Sequence, residues 1–356
     1  MYIEVSSPQY QHNNMTFLFF SYIVYMIYSI MIVNGLNKYN TFYRHWTCIG
    51  IKDKIDASKP YSIHIGELPL VVWKDADHWI STIDICKHMG SNLNSGTLNA
   101  GTGCLKCPYH GLEYKYEDRF GETMEHEGKL FWAYKPLTKS PYKVPFYENA
   151  QYAKSFLQID MDASLTDSAY NTMDLRHPEY VHNKLVGFGN TIPPNNVKHY
   201  EYPDNSMVGL SFDYSSNKIM QKLNDNVKCT HNFHMFRYPT FSWSRVTFEK
   251  KHLIIGVNLL PLENKKTRWY ITLCHNYYKT DLGRQFMQFL ATTILNQDYN
   301  QMKNQCYENK LKHQMLFNHI FKDEEVILQL HELFKEHYEF PDIDSVVDLY
   351  NDYRFT

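Results

Sequence analysis

Two short boxes of cysteine and histidine carry the clearest chemical signal in this chain. The first reads C-K-H at residues 86–88 and the second reads C-P-Y-H at residues 107–110. Each box offers one thiolate and one imidazole, so together they supply two sulfur and two nitrogen ligands. That set suits a two-iron two-sulfur cluster and predicts a redox protein. The candidate ligands are Cys86, His88, Cys107 and His110.

Zinc is the competing interpretation of the same region. Cys104 and Cys107 have a spacing that zinc sites use, and Cys86 and His110 would complete a tetrahedral set. That scheme leaves His88 unused and gives no role to the glycines that follow each box. The cluster therefore explains more of the residues than zinc does.

A second constellation lies in residues 164–183, which read SLTDSAYNTMDLRHPEYVHN. The first serine and the aspartate three residues later form a capping-box pattern, which predicts the start of a helix. Asn171, Asp174 and His177 then recur every three residues along one face. Such a row suits either a metal site or the solvated end of a helix.

The histidines of this segment, His177 and His182, are five residues apart. On an ideal helix they would point about 140° away from each other. Pro178 lies between them and is expected to break or kink the helix, because proline disrupts helical hydrogen bonding. Such a break would let both imidazoles turn toward one point.

A carboxylate that could join the two histidines lies much later in the chain. Residues 281–310 predict a long helix, on which Asp298 has Ile294 and Leu295 one turn before it and Met302 one turn after. Asp298 therefore lies on the apolar, inward face. A buried carboxylate needs a partner, for which a metal ion is suitable, although a helix cap or a salt bridge would also serve.

Alternating apolar and polar runs predict the strands that position these residues. Short strands are expected from about residue 42 to residue 116, with both boxes in loops or at strand ends. Further alternating runs between residues 207 and 276 predict an antiparallel sheet with the long helix packed over it. Residues 324–338 predict one more helix.

The boxes C-x-H and C-P-Y-H-G, each followed by glycine, resemble the Rieske family over residues 43–122. The pattern N-x-x-D-x-x-H-x-x-x-x-H and the later aspartate resemble the iron-binding residues of Rieske non-haem iron oxygenases, and the resemblance extends over about residues 42–310. Family members commonly have proline and arginine where this chain has Lys87 and Met89. This departure leaves the ligands intact and the cluster potential open.

The resemblance implies a ligand set for each of two iron centres. It assigns a [2Fe-2S] cluster to the four box ligands and mononuclear Fe(II) to His177, His182 and Asp298. It also implies a head-to-tail homotrimer, in which Asp174 links a cluster histidine, His110, to the iron histidine His177 across the subunit junction. Asn171 would lie near the iron without being a firm ligand.

The family fold is α+β, and the resemblance divides this chain into three parts. Residues 41–150 would form a mostly-β Rieske domain. Residues 151–356 would form a helix-grip catalytic domain with a curved antiparallel sheet and a long C-terminal helix. Residues 1–40 would form a tail that contains a hydrophobic anchor at residues 16–33.

The resemblance implies an oxidoreductase of the single-subunit oxygenase type. Such an enzyme would use dioxygen and electrons from NAD(P)H, delivered by a separate reductase or ferredoxin, to hydroxylate, demethylate or desaturate a small hydrophobic organic substrate. Phe188, Trp243 and Trp269 are candidates for the substrate pocket. The alternatives are a Rieske electron carrier or redox sensor without oxygenase activity, and a zinc-stabilised, membrane-tethered interaction protein.

The segment TFLFFSYIVYMIYSIMIV at residues 16–33 has no formal charge. Its length is at the short end for a membrane-spanning helix. Lys38 and Arg44 follow it, and basic residues on that side favour a cytoplasmic body tethered to the membrane. A buried helix or strand is the alternative, and the protein would then be cytoplasmic.

Composition excludes two other classes of protein. The formal net charge of −2 and the near-neutral isoelectric point of 6.8 give no electrostatic basis for binding nucleic acid. Seven cysteines in 356 residues do not form a disulfide framework. Four of them are isolated in sequence and are expected to be inert, namely Cys48, Cys229, Cys274 and Cys306.

Overall fold

Antiparallel β-strands are the most abundant regular structure in the described part of the chain. The computed structural model describes residues 41–76, 78–99, 101–182, 194–202, 206–215, 229–263, 265–305 and 324–337. Along these residues many short strands come first. The longer strands of one large sheet follow, with helices after the first and after the last of those strands. The predicted α+β class, with a mostly-β N-terminal region and a large antiparallel sheet, is confirmed.

Three small antiparallel sheets lie between residues 47 and 133. Their strand orders are β1-β9-β8, β2-β3-β4 and β5-β6-β7. The strands are β1 (Thr47–Ile51), β2 (Tyr61–Ile65), β3 (Leu68–Asp75), β4 (His78–Ile83), β5 (Thr97–Leu98), β6 (Leu105–Lys106), β7 (Glu113–Tyr114), β8 (Glu122–His126) and β9 (Lys129–Ala133). The C-K-H box follows β4, and the C-P-Y-H box lies between β6 and β7, so both are loops as the sequence predicts.

A seven-stranded antiparallel sheet follows, in the order β10-β16-β15-β14-β13-β12-β11. Its long strands pair in register, for example from Ala153 opposite His275 to Met161 opposite Thr267. The strands are β10 (Ala153–Met161), β11 (Asn195–Glu201), β12 (Met207–Ser215), β13 (Cys229–Arg237), β14 (Phe241–Phe248), β15 (Lys251–Pro261) and β16 (Thr267–His275).

Helices precede or follow strands of this sheet, and three of them contain the candidate residues Asn171, His177 and Asp298. They are α1 (Leu165–Met173), α2 (His177–Tyr180), α3 (Asp281–Met302) and α4 (Glu325–His337). Ser164 and Asp167 form the expected reciprocal cap at the start of α1. The 22-residue helix α3 packs against β10. It ends at Met302, with Lys303 as its C-cap, and is therefore shorter than the predicted helix to Lys310.

The helix break in this segment lies before His177 rather than between His177 and His182, and it has a different cause from the predicted one. Helix α1 ends at the C-cap Asp174, whose backbone is extended, well before Pro178. Pro178 lies instead in the first turn of the short helix α2, where proline is tolerated because no amide hydrogen is needed there. The prediction of a proline kink was therefore wrong, although the helix does break in this segment.

The small sheets and the large sheet share a buried interface. Tyr270 on β16 donates a hydrogen bond to the carbonyl of Ile49 on β1 (2.9 Å). The ammonium of Lys129 on β9 is fully buried, and it donates to Asn258 and Thr272 on the large sheet (both 2.9 Å). Burial lowers the pKa of Lys129, because a charge is poorly solvated there.

The structure leaves several of the sequence predictions untested. Residues 16–33, the predicted anchor, lie outside the described residues, as does Phe188. Of the helices in the described part of the chain, none combines the length and the apolar character that crossing a membrane requires. The proposed domain boundaries near residues 40 and 150 stay predictions.

Candidate metal centres

The two cysteine–histidine boxes form loops with the same backbone hydrogen bonds. In the first loop the amide of Cys86 donates to the carbonyl of Ser91, and the amide of Gly90 donates back to Cys86 (both 2.8 Å). In the second loop the amide of Cys107 donates to the carbonyl of Leu112 (2.8 Å), and the amide of Gly111 donates to the carbonyl of Cys107 (3.1 Å). The glycines at both returns have positive φ angles of 74° and 73°, which favour glycine.

The side chains of the boxes divide into a buried pair and an exposed pair. Cys86 and Cys107 are about 4% and 3% exposed and belong to one apolar cluster. His88 and His110 are exposed, and their ring centroids lie 4.7 Å apart. The two loops therefore bring like ligands together, sulfur beside sulfur inside and imidazole beside imidazole outside. This arrangement fits a cluster in which one iron takes both thiolates and the other takes both imidazoles.

Tyr114 on β7 is the inner neighbour of the first loop. Its side chain is buried, its hydroxyl accepts the amide hydrogen of Lys87 (2.7 Å), and it also hydrogen-bonds the thiol of Cys86. Burial opposes ionisation of Cys86, but this hydrogen bond and those from the amides of His88 and Met89 hold the pKa of the thiol below its ordinary value. A thiolate stabilised in this way is suited to binding a metal.

Cys104, the extra cysteine of the zinc interpretation, takes a separate position. Its thiol contacts the carbonyl of Thr102 (3.5 Å), and the residue does not belong to the apolar cluster that contains Cys86 and Cys107. The geometry therefore favours the cluster interpretation over zinc.

His177, His182 and Asp298 come together as a compact set of three ligands. Nε2 of His177 lies 3.5 Å, and Nε2 of His182 lies 3.1 Å, from the same oxygen, Oδ1 of Asp298. Ligand atoms about 2.1 Å from one metal and about 90° apart would be about 3 Å from each other. The three residues thus fit a single metal ion, and His182 and Asp298 are buried (3% and 4% exposed).

The other ring nitrogen of each histidine is held by the chain. Nδ1 of His177 donates to the backbone carbonyl of Asp174 (3.0 Å), and Nδ1 of His182 donates to Oε1 of Gln297 (2.9 Å). These contacts fix both tautomers with the proton on Nδ1, which leaves each Nε2 lone pair facing Asp298. Burial opposes a charge on His182, yet hydrogen bonding to Asp298 and Gln297 raises its pKa.

Asn171 and Asp174 both lie beside the three ligands. The amide of Asn171 is 3.5 Å from Oδ1 of Asp298, so it contacts the ligand set without belonging to it. Oδ1 of Asp174 accepts the backbone amides of Arg176 (2.8 Å) and His177 (3.2 Å), and the side chain is 33% exposed. Asp174 therefore positions His177 within the chain and also presents a carboxylate at the surface.

Three residues near the sites were missed in the sequence, namely Tyr114, Gln297 and His234. Gln297 directly precedes Asp298, which is the one signal that the sequence offered for it. His234 on β13 hydrogen-bonds the Thr172 carbonyl, and burial lowers its pKa to about 4 despite that bond, so its ring is neutral. Nothing in the sequence separates His234 from the other histidines of the chain.

The two predicted pocket tryptophans within the described residues both lie on the large sheet, and their place in a pocket stays a prediction. Trp269 is 3% exposed on β16, and Trp243 on β14 packs against Phe233, with ring centroids 5.0 Å apart. Trp243 also contacts the apolar core beneath the large sheet.

One comparison with known proteins covers the region that contains the two cysteine–histidine boxes. The family model described as "Rieske [2Fe-2S] domain" matches residues 45–130. The chain is 24% identical to pheophorbide a oxygenase of Oryza sativa subsp. japonica, over 40% of this chain and 33% of that protein. It is 25% identical to the oxygenase component of 3-ketosteroid-9-alpha-monooxygenase of Rhodococcus rhodochrous, over 40% and 42%. These matches span less than half the length of either relative.

Solved structures resemble a larger part of the chain. Dicamba monooxygenase bound to dicamba has a TM-score of 0.70 at 13% identity, over 88% of this chain and 99% of that one. This chain is related to the Rieske non-haem iron oxygenases. NdmA of Pseudomonas putida CBB5 with caffeine has a TM-score of 0.68 at 15% identity, over 86% and 94%. At these identities the structures show a shared fold, and the Rieske [2Fe-2S] domain match is confined to residues 45–130.

Proposed function

We propose that this chain is the oxygenase component of a Rieske non-haem iron oxygenase. It would use dioxygen and externally supplied electrons to hydroxylate, demethylate or desaturate a hydrophobic organic substrate. The observation that carries the proposal is the approach of two imidazole Nε2 atoms to Oδ1 of Asp298, in a chain that also has a Rieske domain. A simple electron carrier has no need of this second ligand set.

The proposal assigns the residues of both sites. Cys86, Cys107, His88 and His110 hold the [2Fe-2S] cluster, and His177, His182 and Asp298 hold mononuclear Fe(II). When bound, such iron supplies the activation of dioxygen beside the substrate, because two histidines and one carboxylate leave one face of the metal open. The electrons would come from NAD(P)H through a separate reductase or ferredoxin.

The chain's own residues orient these ligands. The Asp174 carbonyl and Gln297 hold the two imidazole rings in place, and the amide of Asn171 limits rotation of the Asp298 carboxylate. Burial of His182 and Asp298 keeps bulk water away from two of the three ligands. The site is therefore preorganised, and only the face away from Asp298 and the rings would admit a substrate.

We infer a homotrimer as the working assembly. Met89 and Tyr109 lie on the two box loops and are 64% and 62% exposed, which is unusual for large apolar side chains beside a polar site. The exposed carboxylate of Asp174 beside His177 suits a contact with a histidine of a second subunit. In the assembly His110 of one subunit would face Asp174 of its neighbour. Sedimentation analysis of the loaded protein tests the oligomeric state.

We also infer a membrane tether and a lipid-like substrate. Residues 16–33 support this through their apolar sequence. The name of one relative, 3-ketosteroid-9-alpha-monooxygenase, gives a ketosteroid as its substrate, and steroids are hydrophobic. Flotation of the full chain and of a chain lacking residues 1–40 with vesicles checks the tether, because only the full chain should float.

Metal analysis of the purified, anaerobically reconstituted chain tests the function. We expect about three irons and two acid-labile sulfides per chain, with the electron paramagnetic resonance signal of a Rieske cluster. Asp298→Ala and His182→Ala should retain the cluster and lose the third iron, whereas Cys107→Ser should lose the cluster. His231→Ala, at an exposed position on β13, is the matched control and should keep all three irons. A colourless zinc protein would contradict the proposal.

Product analysis then tests the reaction itself. The chain would be incubated with a reductase, NADH, dioxygen and a panel of steroids and methoxylated aromatic acids. Substrate-dependent consumption of dioxygen with an oxygenated or demethylated product supports the oxygenase. A chain that holds all three irons and exchanges electrons, but makes no product with any substrate, supports the electron carrier.

A further inference from the structure

An ion pair lies directly beside the first box loop. Nζ of Lys87, the residue between Cys86 and His88, is 3.3 Å from Oδ1 of Asp118. Asp118 ends the 3-10 turn Tyr116–Asp118, which follows β7. The two side chains are 39% and 35% exposed, so the pair is accessible to solvent while remaining close to the loop.

Hydrogen bonds hold the backbone of Lys87 and the carboxylate of Asp118. The amide of Lys87 donates to the hydroxyl of Tyr114 (2.7 Å). The second carboxylate oxygen of Asp118 accepts the amide of Lys115 (3.1 Å), the residue that follows Tyr114. The Lys87 backbone and the Asp118 carboxylate are thus held beside the Cys86 loop, and the ion pair joins the lysine ammonium to this carboxylate.

We propose that Lys87 and Asp118 set the reduction potential of the cluster by placing two compensating charges beside the Cys86 loop. This inference rests on the proposed function, because it requires the cluster to be held by Cys86 and His88. The cluster becomes more negative when it gains an electron from its donor. A nearby positive charge alone favours that reduced form, and a nearby negative charge alone disfavours it. The pair keeps the potential between these two extremes.

The electrostatic origin of this effect also predicts a dependence on salt. In the intact pair the two charges largely cancel, so added salt changes the potential little. Removal of either partner leaves one partly exposed charge, which mobile ions screen. The potential of a single variant should therefore move back toward that of the unchanged protein as the ionic strength rises.

The test is a redox titration of the cluster-loaded full chain, followed by optical and electron paramagnetic resonance spectroscopy. Lys87→Gln should lower the midpoint potential, and Asp118→Asn should raise it. The double variant should return close to the unchanged value, and Lys87→Arg should keep it, because the charge is conserved. A purely structural role would not give shifts of opposite sign that cancel in the double variant.

A second ion pair of the same region serves as the matched control. Lys52 and Glu125 are 2.6 Å apart and are 44% and 35% exposed. Glu125 also accepts the indole hydrogen of Trp79, near the end of β4 that is farther from the Cys86 loop. Lys52→Gln should therefore shift the potential less than Lys87→Gln does, although both remove one lysine charge of similar exposure.

The outcomes separate this inference from the proposed function. Shifts of the same sign in both single variants, a shift in only one of them, or no shift in either would overturn the role of the pair. If Asp118→Asn loses its cluster, Lys87→Gln decides alone, and a raised or unchanged potential overturns the inference. An unchanged chain that takes up no Rieske cluster contradicts the proposed function instead, because the spectra are recorded before any titration.

Discussion

Nδ1 of His182 donates a hydrogen bond to Oε1 of Gln297 across 2.9 Å, which links the segment after α2 to helix α3. His182 and Asp298 belong to these two segments, which are more than 100 residues apart in sequence. Gln297 therefore orients one proposed metal ligand, and its neighbour Asp298 is another proposed ligand. One turn of α3 provides both the ligand and the support for the opposite ligand.

Replacing Gln297 should weaken iron binding. In Gln297→Leu the His182 ring loses the contact that fixes its tautomer, and loss of such a supporting hydrogen bond costs about 10–100-fold in metal affinity. Competition with a chelator measures the affinity directly. Gln285→Leu, at an exposed position on the same helix, is the control and should bind iron normally. Equal affinity in the two variants would show that Gln297 does not support the ligand.

Replacing Asp174 should separate metal binding from turnover. Asp174→Asn keeps an acceptor for the amides of Arg176 and His177, so both metal centres should remain. It loses the charge of the proposed contact to His110 of a neighbouring subunit. A charge-assisted hydrogen bond worth about 1.5–3 kcal/mol corresponds to about 10–150-fold in rate. Single-turnover oxidation of the reduced cluster measures this rate, and Asp56→Asn, an exposed aspartate, is the control.

Removing the hydroxyl of Tyr114 should lower the cluster potential. In Tyr114→Phe the thiolate of Cys86 loses a hydrogen bond that stabilises its negative charge, and the amide of Lys87 loses its acceptor. The more negative, reduced state is destabilised most, so reduction becomes harder. Redox titration measures the shift against Tyr116→Phe, whose ring is 47% exposed. A potential equal to that of the control would exclude this role for Tyr114.

Lys129 should make the stability of the protein depend on pH. Burial lowers its pKa in the folded chain, whereas the unfolded value is about 10.4. Between these two values the unfolded chain binds the proton and the folded chain does not. The free energy of unfolding should therefore rise with pH in this window, by up to about 1.4 kcal/mol per pH unit, and level off above it.

The comparison with Lys129→Met isolates this effect. Cys48 and Cys274 have pKa values raised to about 12 by burial, so their effect on stability has the opposite sign at high pH. Lys129 itself lowers both thiol pKa values, so the contribution cancels only at pH values well below 12, where both thiols stay protonated in either folded protein. Urea unfolding at several pH values should show the difference growing with pH. The exposed variant Lys52→Met should show no such trend beyond its loss of one surface ion pair.

The features that could be predicted from the sequence are those set by neighbouring residues. The two boxes, the glycines after them and the Ser164–Asp167 cap each depend on a few adjacent positions, and the structure places them in loops and at a helix start as expected. The inward position of Asp298 followed from apolar residues one turn away on α3. These local patterns also supported the resemblance to a family.

The contacts that could not be predicted depend on pairing between distant segments. Tyr114 reaches Lys87 only because β7 lies beside the loop after β4, and Lys129 is buried only because the large sheet covers β9. No periodicity in the sequence encodes these distances. The helix break before Pro178 was misattributed because the capping contacts of Asp174 are not visible in residue type alone.

The matching hydrogen bonds of the two box loops have a consequence for the direction of electron flow. The backbones of the loops after Cys86 and Cys107 make the same pair of hydrogen bonds, so these contacts offer no polarity of their own. Any preference for where an electron enters or leaves must come from side chains that lack a counterpart. Lys87 with Asp118 on one side and Tyr109 on the other break the equivalence. The repeated backbone contacts thus treat the two loops alike, and a few unmatched side chains make the surroundings of the two loops different.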